Sequence, residues 1–235
     1  MNKSILVINK LNLKNIRAAY IAAIAGVAAL GSSYISYFIM ASRGEDLSGN
    51  ENVGMAWALW ALPVAAAIII PSRHFRRILS LGGKRDNFFK GSLMTYIVIS
   101  GAAALIGTVL DYFEYNIASN AMLVDVIFTP LTVFGWAAHG PVIGFLQQFA
   151  FLFLTAAFTH TFVAAQGKWY GWASFAGALV GLCVFIPIEP LRNILIGYAF
   201  LVLFNPNAFL QIVACVLIGL GFYWLNKPIF ARKTI

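Results

Sequence analysis

The residues of this sequence whose types and spacing best suit recognition of another molecule lie in one basic segment, residues 72–91. Phe75, Ile78 and Leu79 are spaced i, i+3 and i+4, so they share one side of a helix. Arg73, Arg76 and Arg77 would form the side of the helix that faces water. Such a helix either inserts its apolar side into a groove of a cytoplasmic partner or rests against lipid headgroups. The residues predicted to make the partner contact are Arg73, Phe75, Arg76, Arg77, Ile78, Leu79 and Arg85.

The ends of this short helix are marked by residues that favour helix termini. Ser72 follows Pro71 and is predicted to be the N-cap, because a serine hydroxyl accepts a hydrogen bond from the unpaired backbone amides of the first turn. Gly82 and Gly83 are predicted to stop the helix, since glycine adopts the left-handed conformation that a C-terminal stop requires. A second helix is expected to restart near Arg85 and to run into the next apolar stretch.

A polar face is predicted on the apolar run 142–165. Thr155 and Thr159 follow Gln148 by seven and eleven positions, which places all three within about 20° of one another on a helix. Two interpretations stay open at this stage. The face serves either hydrogen bonding between neighbouring helices, which is its more ordinary use, or the lining of a transport pathway.

The sequence carries no catalytic, cofactor-binding or metal-binding pattern. The string Gly82-Gly83-Lys84 lacks both the earlier glycine and the following serine or threonine of a phosphate-binding loop. Cys183 and Cys215 form no CxxC pair and are predicted to be small buried hydrophobes without a disulfide. The long apolar runs contain no Lys, Arg, Asp or Glu, which argues against ion-coupled transport. Neither an enzyme nor a bound cofactor is therefore predicted.

The elements that would position these residues are membrane-spanning helices. Of the 235 residues, 61% are hydrophobic and 10% are charged, a composition that excludes a water-soluble globule. An apolar run of about 20 residues crosses a bilayer as a helix. The sequence thus predicts an all-α integral membrane protein with a single transmembrane domain over residues 1–235. The six predicted spans are 18–41, 55–71, 92–110, 142–165, 172–188 and 208–226.

Two further apolar stretches, 121–138 and 191–204, leave the number of spans open. Asp125 and Pro130 disfavour exposure of the first stretch to lipid, and the second is short for a span. We interpret both as re-entrant or interfacial segments on the outer side of the membrane. The alternative is that they form two additional spans.

The lysines and arginines predict the orientation, because they favour the cytoplasmic side of a membrane. With six spans and both termini in the cytoplasm, 14 of the 16 Lys and Arg residues lie inside, and only Arg43 and Arg192 lie outside. The tally is the same with two additional spans, so it does not decide between the alternatives. The net charge of +8 is thus explained by orientation in a plasma membrane and not by nucleic-acid binding.

Residues 1–17 are predicted to form a helix that lies in the membrane interface. Lys3, Lys10 and Lys14 would fall on one side of it, with Ile5 broadly opposite. The lysines would then contact anionic lipid headgroups. The alternative is a disordered basic leader that serves only to orient the chain.

The stretch after the second predicted span is similar to that of a known family. Leu81, Arg85, Phe88, Phe89 and Gly91, which follow a basic amphipathic helix, resemble the corresponding run in bacterial permeases of the ABC-2 type. The order of the predicted elements is similar as well. The resemblance implies the ABC-2 fold, with six transmembrane helices, an N-terminal interfacial helix, a cytoplasmic coupling helix and extracellular re-entrant segments.

The resemblance also implies partners and a function. A permease of this type forms a homodimer or heterodimer with a second permease subunit and binds a cytoplasmic ATPase subunit, which holds ATP and Mg²⁺; residues 72–91 would be the coupling region. The expected cargo is hydrophobic or amphipathic, first of all a toxin or antimicrobial peptide such as a phenol-soluble modulin or a bacteriocin, moved out of the cell. Export of drugs or lipids is the nearest alternative. A membrane immunity or sensor protein that transports nothing is a rival of another class.

Overall fold

The structure is a computed structural model that describes residues 3–45, 51–121, 126–166 and 169–231. Nearly all of these residues are helical, which confirms an all-α fold. One cluster of buried hydrophobic side chains runs from the first helix to the last. The helices are α1 (Lys3–Asn15), α2 (Arg17–Ser42), α3 (Ala56–Ile69), α4 (Phe75–Ser80), α5 (Arg85–Ala121), α6 (Pro130–Val133), α7 (Pro141–Ala165), α8 (Trp169–Phe185), α9 (Glu189–Leu203), α10 (Ala208–Trp224) and α11 (Asn226–Ala231).

Five helical segments in the described part of the chain are long and apolar enough to cross a membrane. This is the property expected of an integral membrane protein. α3 and α4 count as one segment, because a π-helical turn over Ile70–His74 joins them without a break. The five segments are Arg17–Ser42, Ala56–Ser80, Arg85–Asn116, Pro141–Ala165 and Ala208–Phe230.

The predicted span 172–188 does not form one straight helix. α8 has 17 residues, and it meets α9 at a bend of 114°. The described residues thus contain five candidate spans, or up to six if the bent pair makes one crossing. The second open stretch, 191–204, forms most of α9 and not an independent long span.

α7 and α10 run side by side in the same direction. Near their first turns, Gln147 Nε2 donates a hydrogen bond to Gln211 Oε1. Near their last turns, Thr161 Oγ1 donates a 2.8 Å hydrogen bond to the backbone carbonyl of Phe222. α8 and α9 therefore carry the chain from the end of the bundle where α7 stops to the end where α10 starts.

The other open stretch, 121–138, contains only short elements over its described residues. The strand β1 (Glu51–Val53) pairs in parallel with β2 (Val126–Phe128). The short helix α6 and a 3₁₀ turn, Trp136–His139, follow. An additional span here is excluded, because no helix within 126–138 is long enough to cross a bilayer.

Aromatic side chains hold this stretch against the bundle. Trp57 Nε1 donates a 2.7 Å hydrogen bond to the carbonyl of Phe128. The ring of Trp60 stacks on Phe134 with ring centroids 5.6 Å apart, and Trp136 Nε1 donates to a carbonyl at the end of α9. The stretch is thus fixed to α3 on one side and to α9 on the other.

No helix begins at Ser72, which corrects the predicted N-cap. The chain stays helical through this position and passes Pro71 inside the π-helical turn. Proline has no N–H to donate, and a π turn is one way in which a helix accommodates an interrupted hydrogen-bond ladder. Ser72 Oγ instead donates a 2.6 Å hydrogen bond to the carbonyl of Ile68 in the preceding turn.

The predicted stop at the glycines is confirmed. Gly82 has a φ of 78°, and the amide of Gly83 donates a 2.9 Å hydrogen bond to the carbonyl of Ile78. This bond closes the helix end in the manner of a Schellman turn. α5 then begins at Arg85, where the second helix was predicted to restart.

α1 confirms the helix predicted within residues 1–17 but not its setting. The alternative of a disordered leader is contradicted over the described part, which is helical from Lys3 to Asn15. α1 packs closely on α5, since a Cβ added at Gly91 would come 2.7 Å from Ile8 Cγ2. Part of the surface predicted to face lipid therefore contacts the protein.

Candidate functional site

The apolar residues of the predicted docking helix face the interior of the protein. Phe75 is 1% exposed, and its ring centroid lies 5.2 Å from that of Phe88 and 4.5 Å from that of Phe230. Ile78 is also buried, and Leu79 is half-buried. The prediction of an apolar side offered to a partner is therefore wrong for Phe75, because rings of α5 and α11 already cover it. For Leu79, and for Ile78, which lines a groove beside α1, the partner contact stays a prediction.

The surface that this segment offers is cationic instead. It lies at the end of the bundle formed by α1, α4, the turn over residues 81–84, the start of α5 and α11, which we call the basic end. Leu81, in the turn, is 73% exposed and adds an apolar tip. The exposed cations of the segment are Arg73, Arg76, Arg77, Lys84, Arg85 and Lys90. Of these, Lys90 pairs with Asp86 at 2.7 Å.

A groove separates α1 from the turn at the basic end. Its volume is about 760 Å³. Val7 and Leu11 of α1 line one side, and Leu81 lines the other. Lys3 and Lys84 add positive charge to the lining, and Asp86, which pairs with Lys90, also belongs to it. With the charge of Asp86 compensated by Lys90, the groove can accept an apolar segment that carries negative charge.

Behind this surface lies a buried network of polar side chains that ties α1 to the bundle. Asn12 Nδ2 donates a 3.3 Å hydrogen bond to Thr95 Oγ1, and Asn12 Oδ1 lies 3.1 Å from His74 Nδ1. Thr95 Oγ1 donates a 2.9 Å hydrogen bond to Asn9 Oδ1. Buried polar groups that pair within the chain in this way stabilise one arrangement of the helices.

The residues of the predicted pathway are not brought together on one open surface. Gln148 is fully buried, and its amide shares a 3.0 Å hydrogen bond with Thr108 Oγ1 of α5. Thr155 is half-buried, and its hydroxyl donates to a carbonyl of its own helix, that of Phe151. Thr159 is half-buried as well. The interpretation as a contact between helices therefore holds for Gln148, and the pathway role of the two threonines stays a prediction.

A pair of carboxylates that the sequence analysis did not single out lies far from the basic end. α5 continues to Ala121 instead of ending near residue 110, so Asp111 and Glu114 belong to its helix. Both are buried, with exposed fractions of 4% and 1%. They lie three and six positions after the buried Thr108, and this helical periodicity is the signal that could have identified them. We call their surroundings the acidic end.

Glu114 is held in place by the start of α3. Its Oε1 accepts a 2.7 Å hydrogen bond from the amide of Met55. A Cβ added at Gly54 would come 2.9 Å from Glu114 Oε2 and 3.3 Å from the Cα of Thr129. Glycine is required at position 54 because part of this contact is with backbone that cannot move aside.

Asp111 lines a cavity of about 360 Å³ at the acidic end. Within the described ranges, neither of its carboxylate oxygens has a hydrogen-bond partner. The amide of Leu131 approaches the carboxylate but lies outside hydrogen-bond geometry. The other residues that line the cavity are Tyr112, Tyr115, Thr129, Leu131, Thr132, Ala137 and Ala138.

The two cysteines are free and differ in setting. Cys215 is buried, as predicted, whereas Cys183 is exposed on α8, which corrects the prediction that both are buried. Among the described residues, no group of three or more His, Cys, Asp or Glu side chains is placed to hold a metal ion. Neither cysteine thus belongs to a site of this kind.

Two places in the molecule therefore qualify as functional surfaces. The basic end presents exposed cations and a groove, and behind them Asn9, Asn12, His74 and Thr95 pair with one another. The acidic end presents a cavity with a buried carboxylate that receives no hydrogen bond from the described part of the chain. Comparison with known proteins adds no further assignment, since no protein-family model, no curated protein and no solved structure matches this chain.

Proposed function

We propose that this chain is the membrane subunit of an ATP-driven exporter of the ABC-2 type, and that its basic end binds the cytoplasmic ATPase subunit. The observation that carries the proposal is the short, stiff turn over residues 81–84. It joins two long helical segments, Ala56–Ser80 and α5, whose lengths are 25 and 37 residues. A partner that moves the turn would move both helices.

The structure of the turn favours transmission of such a movement. The amide of Gly82 donates a 3.0 Å hydrogen bond to Leu79, and that of Gly83 donates to Ile78. The buried Phe75 also packs on Phe88 at the start of α5. Because the helix ends are bonded and packed together, the turn cannot absorb a displacement as a flexible loop would. Displacement of packed helices is a common form of conformational switching.

The charge of the basic end indicates the chemistry of the partner. Exposed cations surround the turn, and the groove beside α1 combines apolar walls with Lys3 and Lys84. An acidic and apolar element of the ATPase fits this surface. The chain has no phosphate-binding loop of its own, so ATP and Mg²⁺ would be bound by the partner.

The arrangement of α7 and α10 supports a topology of six crossings. These two helices run in the same direction, which requires α8 and α9 together to take the chain from one end of the bundle to the other. With the basic end in the cytoplasm, both termini lie inside, as the distribution of Lys and Arg in a plasma-membrane protein requires.

α2 supports the presence of a second permease subunit. Within its apolar window only 11% of the residues are buried inside the chain. Ile21, Ile24 and Phe38 are between 66% and 68% exposed. A surface of this kind faces either lipid or a neighbouring subunit, and a homo- or heterodimer would build a cargo pathway between two such chains. A pathway lined by such apolar helix surfaces would suit hydrophobic or amphipathic cargo, and exported peptides are the cargo that we propose.

The proposal predicts a gene for an ABC ATPase beside the gene of this chain, and it is tested by co-expressing the full chain with that ATPase. In the variant Arg76→Glu, Arg77→Glu, Leu81→Asp, membrane insertion should be retained. Co-purification of the ATPase and ATP-dependent export of an amphipathic peptide from cells should both be lost. The matched control is Arg43→Glu, which alters an exposed cation at the far end of α2 and should change neither readout. Unchanged association and export in the triple variant would contradict the proposal.

A further inference from the structure

The cavity at the acidic end contains an unusual carboxylate. Asp111 is 4% exposed, and among the residues that the structure describes, none donates a hydrogen bond to either of its oxygens. Burial of an ionised group without a partner is costly, and buried polar groups in folded proteins are nearly always paired. A carboxylate that lines a cavity under these conditions is set up to meet a positive group that comes from outside the chain.

The surroundings of Asp111 increase the negative character of the cavity. Glu114 lies one helical turn further along α5, with the Tyr34 hydroxyl beside its carboxylate. Among the described residues that line the cavity, none is Lys, Arg or His. Two carboxylates without a cation beside them attract a cationic ligand and disfavour an anionic one.

The size of the cavity indicates an organic cation and not a metal ion. A volume of about 360 Å³ lies in the range of sites for small organic molecules and greatly exceeds that of a bare ion. The hydroxyls of Thr129 and Thr132 are already engaged with each other and with the backbone at the start of α6. Asp111 is then the one lining group that offers an unengaged anionic ligand atom.

The walls of the cavity suit the apolar part of such a ligand. Tyr112 and Tyr115 present aromatic rings, and an ammonium group is attracted to the face of a ring. Leu131 and Ala137 add apolar surface. Tyr115 is 64% exposed and Ala138 is exposed, so the cavity opens to the outside of the protein at these residues, with Asp111 at its floor.

We propose that this cavity is a binding site for an organic ammonium ion that carries a small apolar group. The ammonium group pairs with Asp111, and the apolar group lies between the tyrosines and Leu131. The inference does not depend on the function proposed for the basic end, because binding at the cavity is measured on the chain without an ATPase.

The test uses the full chain in lipid nanodiscs and two probes of nearly equal size. Phenethylammonium is charged, and 2-phenylethanol is its neutral counterpart. Calorimetry should show saturable binding of phenethylammonium at least tenfold tighter than that of 2-phenylethanol. Asp111→Asn should abolish this preference, whereas Asp86→Asn, an exposed acid at the other end of α5, should keep it.

A second variant keeps the proposal falsifiable if Asp111→Asn does not fold. Ala138→Trp fills the exposed mouth and leaves the carboxylate in place, so it should weaken phenethylammonium binding at least tenfold. Equal binding of both probes to the unmodified chain would overturn the proposal. The same conclusion would follow from full phenethylammonium binding in either variant, or from binding of Na⁺ or Ca²⁺ with none of the ammonium probe.

Discussion

Thr95 and Asp111, buried polar residues near the two ends of α5, differ in their hydrogen bonding. At the basic end, Thr95 hydrogen-bonds Asn9 and Asn12 of α1, so these three side chains pair with one another. At the acidic end, Asp111 is also buried but accepts no hydrogen bond from the residues that the structure describes. About 16 residues separate Thr95 from Asp111, or roughly 24 Å along a helix. The first arrangement builds the fold, and the second leaves a group available to a ligand.

The same contrast separates the two kinds of apolar residue at the basic end. Phe75 is enclosed by rings of α5 and α11, whereas Leu81, six residues later, is 73% exposed. One of them contributes to the stability of the fold, and the other is free to contact a partner. Four substitutions test whether this division between structural and available groups is correct.

The largest effect is expected for Phe75→Ala. Truncation of a fully buried aromatic side chain should lower the free energy of unfolding by about 3–5 kcal/mol. Thermal unfolding of the purified full chain in detergent measures the change. Leu81→Ala is the matched control and should leave the melting temperature unchanged. Equal melting temperatures for the two variants would show that the ring of Phe75 is not part of the core.

Asn12→Ala should have the next largest effect. It removes the contacts of Asn12 with Thr95 and His74, while Thr95 keeps its hydrogen bond to Asn9. Each buried polar group deprived of a hydrogen bond costs about 1–3 kcal/mol. The melting temperature should fall, and proteolysis near the N-terminus should become faster as α1 detaches. Lys10→Ala, on the exposed side of the same helix, should change neither. If Asn12→Ala changed neither the melting temperature nor the rate of proteolysis, the polar network would not be what holds α1 against the bundle.

Asp111→Asn should change stability in the opposite direction. In the absence of ligand, removing an unpaired buried carboxylate should raise the free energy of unfolding by about 1 kcal/mol. The measurement is the melting temperature in nanodiscs at neutral pH, with Asp86→Asn as the exposed control that should not shift it. A lower melting temperature for Asp111→Asn would show that the carboxylate is satisfied within the fold, and the comparison between the two ends of α5 would fail.

The smallest effect on stability is expected for the double substitution Arg76→Gln, Arg77→Gln. Both side chains are exposed, and the melting temperature should stay the same. Association with the ATPase subunit proposed as the partner should weaken, and the remaining affinity should depend less on salt, because exposed charges act through screened interactions. Titration of complex formation against NaCl measures both. Unchanged affinity and salt dependence would place the contact elsewhere.

Local signals in the sequence predicted much of the basic end. Gly82 and Gly83 stop the helix where expected, because the left-handed conformation at a helix end depends on a few neighbouring residues. The prediction that Ser72 caps a helix was wrong, because the helix does not begin there. A π-helical turn carries the helix past Pro71, and the packing of the surrounding helices favours that continuation over a new start.

The acidic end could not be predicted from local signals in the same way. Asp111 and Glu114 follow an apolar run, and charged residues in that position usually mark the end of a span. Only the continuation of α5 and its contacts with Met55 and the stretch containing Leu131 make these carboxylates buried. The spacing from Thr108 indicates their side of the helix but not what covers it.

The apolar runs were enough to predict an all-α membrane protein, because runs of this length need no tertiary context to form helices in lipid. Helical periodicity likewise predicted which side of each amphipathic segment is apolar. Contacts between distant segments were needed to show that Phe75 is covered by its own chain and that Asp111 is buried with no hydrogen bond from the described residues. Burial depends on segments distant in sequence, such as Phe230 against Phe75, and helical periodicity carries no information about them.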